Sequence, residues 1–405
     1  MSQSIVFYLH MHQPSRVQPY SVFDTGWRHD YFSQQDPAAR TNNESIFRKV
    51  AQKSYWPMTH KLLQLLEQHP GFACNLSITG TFLEQCEQWD PALLEQLQRL
   101  VTTGRVEIIG ETYYHSLAFF YSRFEFEKQV LMHREKIEQL FGVTPKVFRN
   151  TELSYNDELG QWADSAGYKG ILAEGWDPIL GYRSPNYLYR PVGASKTRLL
   201  LKNYRLSDDM AFRFSNRHWA EWPLMTDKYL SWLTATPDEP LINLFMDFET
   251  FGEHQWDDTG IFDFFEALVG SWVSDPDRSF LMASDACDRF DAVDEVSMPN
   301  TVTWADTERD LSAWTGNRMQ TEALRYVYDM EHEIIRSDDD ALINSWRHLQ
   351  TSDHFYYMCT KWFTDGDVHA YFSPYESPYD AFLYYLNVMR DVHYRLNELR
   401  KGDLS

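Results

Sequence analysis

The chain has 405 residues, with 37 Lys and Arg against 59 Asp and Glu, a formal net charge of −22. A surface this acidic repels phosphate, which argues against nucleic acid or an anionic membrane as a partner but not against a neutral substrate. The length suits roughly two to three domains, or one large barrel with an appendage.

The first expected strand, Ile5–His10, starts too early to leave room for a secretory signal. No apolar run reaches the roughly 18 residues of a membrane span. Cys74, Cys86, Cys287 and Cys359 form no CxxC pair and match no zinc spacing, so they read as buried thiols and the protein as cytoplasmic. Further strands are expected at Phe72–Ile78, Val106–Gly110, Lys146–Asn150, Gly170–Ala173, Thr197–Lys202 and Leu241–Asp247, with an eighth candidate at Ser279–Ala283. Helical patterns lie between them. Pro91–Val101 repeats Leu93, Leu94, Leu97, Leu100 and Val101, and Asn156–Ala166 opens on an Asn cap and stops at Gly167. This alternation predicts an α/β fold with parallel strands, an incomplete TIM-like barrel of the (β/α)7 type over residues 1–300. Residues from about 203 to 240 read as a long irregular loop. Residues 301–405 read as a C-terminal helical region, expected to pack on the barrel and contribute to the site. Thr321–Ile335 and Pro378–Arg400 are its main helices, the latter repeating Phe382, Tyr385, Leu386, Met389, Val392 and Leu396.

A parallel barrel carries its site at the C-terminal ends of its strands. Polar residues gather there: His10 and His12, Glu111 to His115, Arg149 to Glu152, Glu174 to Asp177, Arg205 beyond Lys202, and Asp247 to Glu249. Two carboxylates in a concave site cleave a glycosidic bond without a cofactor. Glu152 is the leading nucleophile or base, with an ion pair to Arg149 as its structural alternative. Asp247 and Glu249 share a face, and the residues alone do not choose the acid between them; burial by Phe245, Phe248 and Phe251 would raise the pKa of Asp247. His10 and His12 face one side of a strand, suited to hydrogen bonding a polar substrate or to a metal-dependent amide or ester hydrolase. The latter lacks its further His or Lys ligands on strands four to six. Aromatic residues make up 16% of the chain, 14 of them Trp, and flat amphipathic rings suit sugars. Trp176, Trp304 and Trp314 are therefore stacking candidates. Asp208, Glu253, His254, Asp310, Asp353 and His354 are further binding candidates. No GxGxxG, P-loop, GxSxG or HExxH occurs, so no cofactor is expected and Ser or Cys nucleophile schemes lack a supporting signature.

Five short regions, in order, resemble glycoside hydrolase family 57, its alpha-amylase-type members in particular: His12-Gln13-Pro14, Gly104 to Thr112, Phe148 to Leu153, Met246 to His254, and Asp310 to Asn317. The resemblance implies a seven-unit barrel, α-linked glucan substrates and no metal. It also implies retention through a covalent glucosyl-enzyme, with Glu152 on the nucleophile position and Asp247 on the general acid/base. Retention needs the two carboxyl groups about 5–5.5 Å apart. The family also holds 4-alpha-glucanotransferases and branching enzymes with the same pair. Branching enzymes usually have a longer C-terminal part, so the short tail here favours the amylase type.

Overall fold

The computed structural model describes residues 2–361 and 368–402. The chain forms two compact units: Met1–His12, Arg48–Glu111 and Met132–Trp304 make the first, and Gln13–Phe47, Thr112–Leu131 and Ala305–Ser405 the second.

Among the described residues the first unit carries ten strands: β1 (Gln3–Met11), β2 (Cys74–Ile78), β3 (Val106–Ile108), β4 (Val147–Phe148), β5 (Gly170–Glu174), β6 (Arg190–Pro191), β7 (Arg198–Lys202), β8 (Leu241–Asp247), β9 (Arg278–Phe280) and β10 (Glu295–Val296). All named ladders are parallel. Every residue of β1, β2 and β5 is buried, as strands covered on both faces require. The seven main expected strands and the eighth candidate all have counterparts; the short pair β6–β10 had no periodic signal to announce it.

The expected barrel is not one continuous hydrogen-bonded cylinder. The ladders form a five-stranded sheet, ordered β3-β2-β1-β8 with β9 also on β1, and a separate three-stranded sheet, β4-β5-β7. Single links bridge the gaps. Gly110 bridges to Phe148, with Gly110 N–H donating to Val147 O and Arg149 N–H to Gly110 O, both 2.8 Å. On the other side Asn203 N–H donates to Asn243 O at 2.9 Å. Inside lie Val6, Tyr8, Ile109, Val147, Leu172, Leu200 and Phe245.

The long loop expected near 203–240 is partly helical. Asn203 caps a helix at Tyr204–Asp208 by accepting from Leu206 N–H, a π turn continues it over Asp209–Arg213, and a helix follows at Thr226–Leu233. Side-chain capping, not apolar periodicity, creates the first of these.

The second unit is mostly helical: Arg318–Asp329, Glu331–Arg336, Asp340–His348, Ser352–Tyr356 and Pro378–Gly402 are its main C-terminal helices. The helix expected over Thr321–Ile335 is interrupted at Met330. This unit also takes in two stretches from earlier in the chain. Buried Asp391 accepts from Gly26 N–H and the Tyr31 hydroxyl and faces His29 at 2.7 Å, which ties residues 13–47 to the last helix. Buried Glu125 pairs with Arg347 at 2.9 Å, which ties in residues 112–131. Among the described residues no helix is long and apolar enough to cross a membrane.

Candidate active site

Side chains alternate along a strand, so a residue two positions beyond an interior one points the same way. On six strands an apolar interior residue is followed, two positions on, by a polar one: Tyr8 by His10, Ile109 by Glu111, Val147 by Arg149, Leu172 by Glu174, Leu200 by Lys202, and Phe245 by Asp247. The apolar core thus gives way to one charged layer at the carboxyl ends of the strands. Strand register pairs its members: His10 lies opposite Asp247 and Glu174 opposite Lys202.

His10 joins two carboxylates. Its Nε2 lies 3.2 Å from Oε2 of Glu111 and its Nδ1 3.6 Å from Oδ1 of Asp247. His12 stacks on the His10 ring and meets the Thr79 hydroxyl at 2.9 Å. Arg149 is fully buried and lies against Glu111 at 3.8 Å and His10 at 3.5 Å. Lys202 meets Asp208 at 3.0 Å and Glu174 at 3.8 Å.

Glu152 and Leu153 follow β4 in a single 3-10 turn with φ of 57° and 54°. Left-handed backbone at two successive non-glycine residues is strained, and such strain concentrates at functional sites. The indole N–H of Trp304 donates to Oε2 of Glu152 at 2.8 Å, and Trp304 N–H reaches Glu152 O at 3.3 Å. The Trp304 ring, expected to be a sugar platform, has Arg149 at 4.9 Å and Lys202 at 5.4 Å from its centroid, and the His10 ring edge-on at 6.4 Å. Glu152 and Asp247 are thereby connected through Trp304 and His10.

The expectation that nearby Phe residues hold Asp247 protonated is not met. Burial pushes its pKa up, but the hydrogen bond and charge of His10, with His254 and Arg149, outweigh burial and hold it below the ordinary carboxylate value. The Asp247 side chain remains 36% exposed. Glu249 is the protonated carboxyl instead: burial and then the Asp247 charge push it up to about 8, while the Tyr55 hydroxyl donates to it. Glu253 is held by Lys49 at 3.5 Å and Lys53 at 3.4 Å. Burial holds His254 below its usual value, and its N–H donates to Glu249 O at 2.9 Å.

Trp176 is half-buried at the start of the turn after β5. Arg205 is 69% exposed and ion-paired with Asp177. In the second unit, His115 adopts φ 53° and its carbonyl accepts from Ser352 N–H, beside a bridge between Ser116 and Thr351 that brings it to the Asp353 turn. Asp310 accepts from Ser312 N–H at 2.8 Å. Two binding candidates there face inward. Trp314 is 1% exposed and packs on Tyr356, which leaves no open ring face for a sugar. His354 is buried, meets His348 O at 3.0 Å, and burial lowers its pKa to about 4. The sequence reading put Arg149 at the rim but gave neither it nor Lys202 a role in the site. The two-residue alternation that put His10 and His12 on one face would have found them if applied to the fourth and sixth expected strands.

A parallel α/β unit with a charged layer at the carboxyl ends of its strands has the architecture of an enzyme whose site lies at that rim. The glycosyl hydrolase family 57 model matches residues 6–299. A putative alpha-amylase of Methanocaldococcus jannaschii is 42% identical over 368 residues, spanning 88% of this chain and 78% of that protein. Two solved structures share the fold. A family 57 branching enzyme from Thermococcus kodakaraensis has a TM-score of 0.67 at 12% identity, over 92% of this chain and 88% of its own. A 4-alpha-glucanotransferase from Thermococcus litoralis has a TM-score of 0.63 at 16% identity; the match covers 87% of this chain but only 56% of that one. The chain belongs to glycosyl hydrolase family 57 and is a glycoside hydrolase.

Proposed function

We propose that the protein hydrolyses α-1,4-linked glucans with retention, in the manner of an alpha-amylase, with Glu152 as nucleophile and Asp247 as general acid/base. The observation that carries this reading is the connected set Glu152–Trp304–His10–Asp247 on one strand-end layer. Asp247 protonates the leaving glycosidic oxygen while Glu152 attacks the anomeric carbon; Asp247 then takes a proton from water, which releases the sugar from Glu152. In the free enzyme His10 and its neighbours keep Asp247 ionised. A bound glucan that excludes water from the exposed side of Asp247 strengthens the burial influence, already the largest, and lets the acid take up its proton. His10, His12 and Glu111 hydrogen-bond the sugar beside the cleaved bond, and half-buried Trp176 offers a stacking face. The buried, unpaired Cys74, Cys86, Cys287 and Cys359 suit a reducing cytoplasm.

Glu152→Gln is expected to lower turnover of maltooligosaccharides at least about a thousandfold while leaving their binding intact by calorimetry. Turnover near wild type would refute the assignment. Incubation with maltotriose separates hydrolysis, which gives only shorter sugars, from transfer, which also gives longer ones.

A further inference from the structure

We propose that Trp304 is a positioning residue for Glu152: its indole N–H, polarised by two buried cations against its ring, holds the Glu152 carboxylate ionised and correctly aimed. This inference rests on the assignment of Glu152 as nucleophile.

Three features support it. The indole N–H donates to Oε2 of Glu152 at 2.8 Å, a charge-assisted bond that fixes the plane of the carboxyl group. A second bond, from Trp304 N–H to Glu152 O, holds the two backbones together, so the indole follows the strained turn that carries Glu152. The ring itself is immobilised. It packs against the interior cluster of Val6, Tyr8, Leu172 and Phe245, with the Arg149 guanidinium and the Lys202 ammonium both within cation–π range.

Both cations are buried, where charge acts at low dielectric. Arg149 leaves Nε and Nη2 without hydrogen-bond partners, so much of its charge is directed at the ring and its neighbours rather than spent in bonds. A cation on the π face withdraws electron density and makes the indole N–H a stronger donor. The Glu152 carboxylate is negative before attack and becomes a neutral ester in the intermediate. A strong donor therefore keeps the attacking form ionised and stabilises the same group as it departs in the second step. Used in this way, the indole anchors the nucleophile rather than lying flat under a sugar.

The test is the pH dependence of maltopentaose hydrolysis by Trp304→Phe, which keeps a ring for the cations but removes the N–H. The acid limb of kcat/KM is expected to move up by about one pH unit, because the carboxylate loses a bond to its charged form. The same change should lower kcat about 10- to 100-fold and alter KM less than about threefold. Trp304→His restores a ring N–H and should return part of the acid-limb shift, which a packing role does not predict. An acid limb that stays at the wild-type pH in Trp304→Phe, with the loss confined to KM, would overturn the proposal and make Trp304 a sugar platform. Glu152→Gln is assayed alongside. If it still turns over, the functional reading itself has failed. If it is inactive and the Trp304→Phe limb is unmoved, only the positioning role has.

Discussion

His10 lies between Glu111 and Asp247, so one imidazole sets the charge of the residue proposed as acid. Its influence lowers the Asp247 pKa, and a general acid works only in its protonated form. The alkaline limb of kcat/KM, which reports the free enzyme, is therefore expected at acidic pH. His10→Gln removes the imidazole that lowers the Asp247 pKa and should shift that limb to higher pH. A pH series on the purified variant checks the sign; an unmoved limb would mean that His10 does not govern Asp247. In wild type, the alkaline limb of kcat should lie above that of kcat/KM, because the bound glucan desolvates Asp247. The roles of these carboxylates were legible only partly in the residues. Neighbouring Phe residues suggested a protonated Asp247, and that reasoning omitted a histidine placed opposite by strand register from more than 200 positions away. It also could not foresee that Glu249, two residues on, is the carboxyl that burial raises.

At the scale of elements, the loop after β8 is held by backbone geometry. Gly252 adopts φ 102°, and a Cβ there would lie 1.8 Å from the carbonyl oxygen of Lys53, on the π turn Ala51–Tyr55. Lys53 on that turn also pairs with Glu253, and Tyr55 donates to Glu249. Gly252→Ala should destabilise the protein by about 2–4 kcal/mol, from left-handed strain plus a clash with backbone that has nowhere to move. Urea unfolding measures this, and a loss under about 1 kcal/mol would show that the turn yields. Most strands of the first unit were readable because they are short, mainly apolar runs between turn signals. Helices with strong caps or periodicity, such as Pro91–Thr102 and Asp157–Ser165, were equally readable. The segment from Tyr204 to Leu233 was not, because its Trp, Arg and Asp content masks the helices, of which only the first is begun by a side-chain cap, Asn203.

At the scale of the molecule, the second unit is assembled from three separated stretches, and nothing local in residues 13–47 or 112–131 says that they fold with the C-terminal helices. Buried charges supply the ties. Asp391 on the last helix accepts from Tyr31 of one early stretch, Glu125 of the other accepts from Arg347, and Asp306 holds His369 at 3.2 Å and Lys361 at 3.3 Å. Burial alone would lower the His369 pKa, but the bonds to Asp306 and Cys359 outweigh it and raise the value to about 9. A histidine whose folded pKa exceeds its unfolded value of 6.5 adds stability that is complete below about pH 6.5 and lost as pH rises through about 9. The lost contribution is on the order of 3 kcal/mol. Thermal melts between pH 6 and 9.5 should show this decline, and His369→Gln should flatten it; a variant curve parallel to wild type would exclude the ion pair as its cause.

The assignment of Glu152 as the nucleophile is tested most directly by trapping the covalent intermediate with a 5-fluoro-α-glucosyl fluoride and sequencing the labelled peptide by mass spectrometry. The account predicts one added fluoroglucosyl group on Glu152. Label on Asp247 or Glu249, or steady turnover of the reagent with inversion and no label at all, would contradict it.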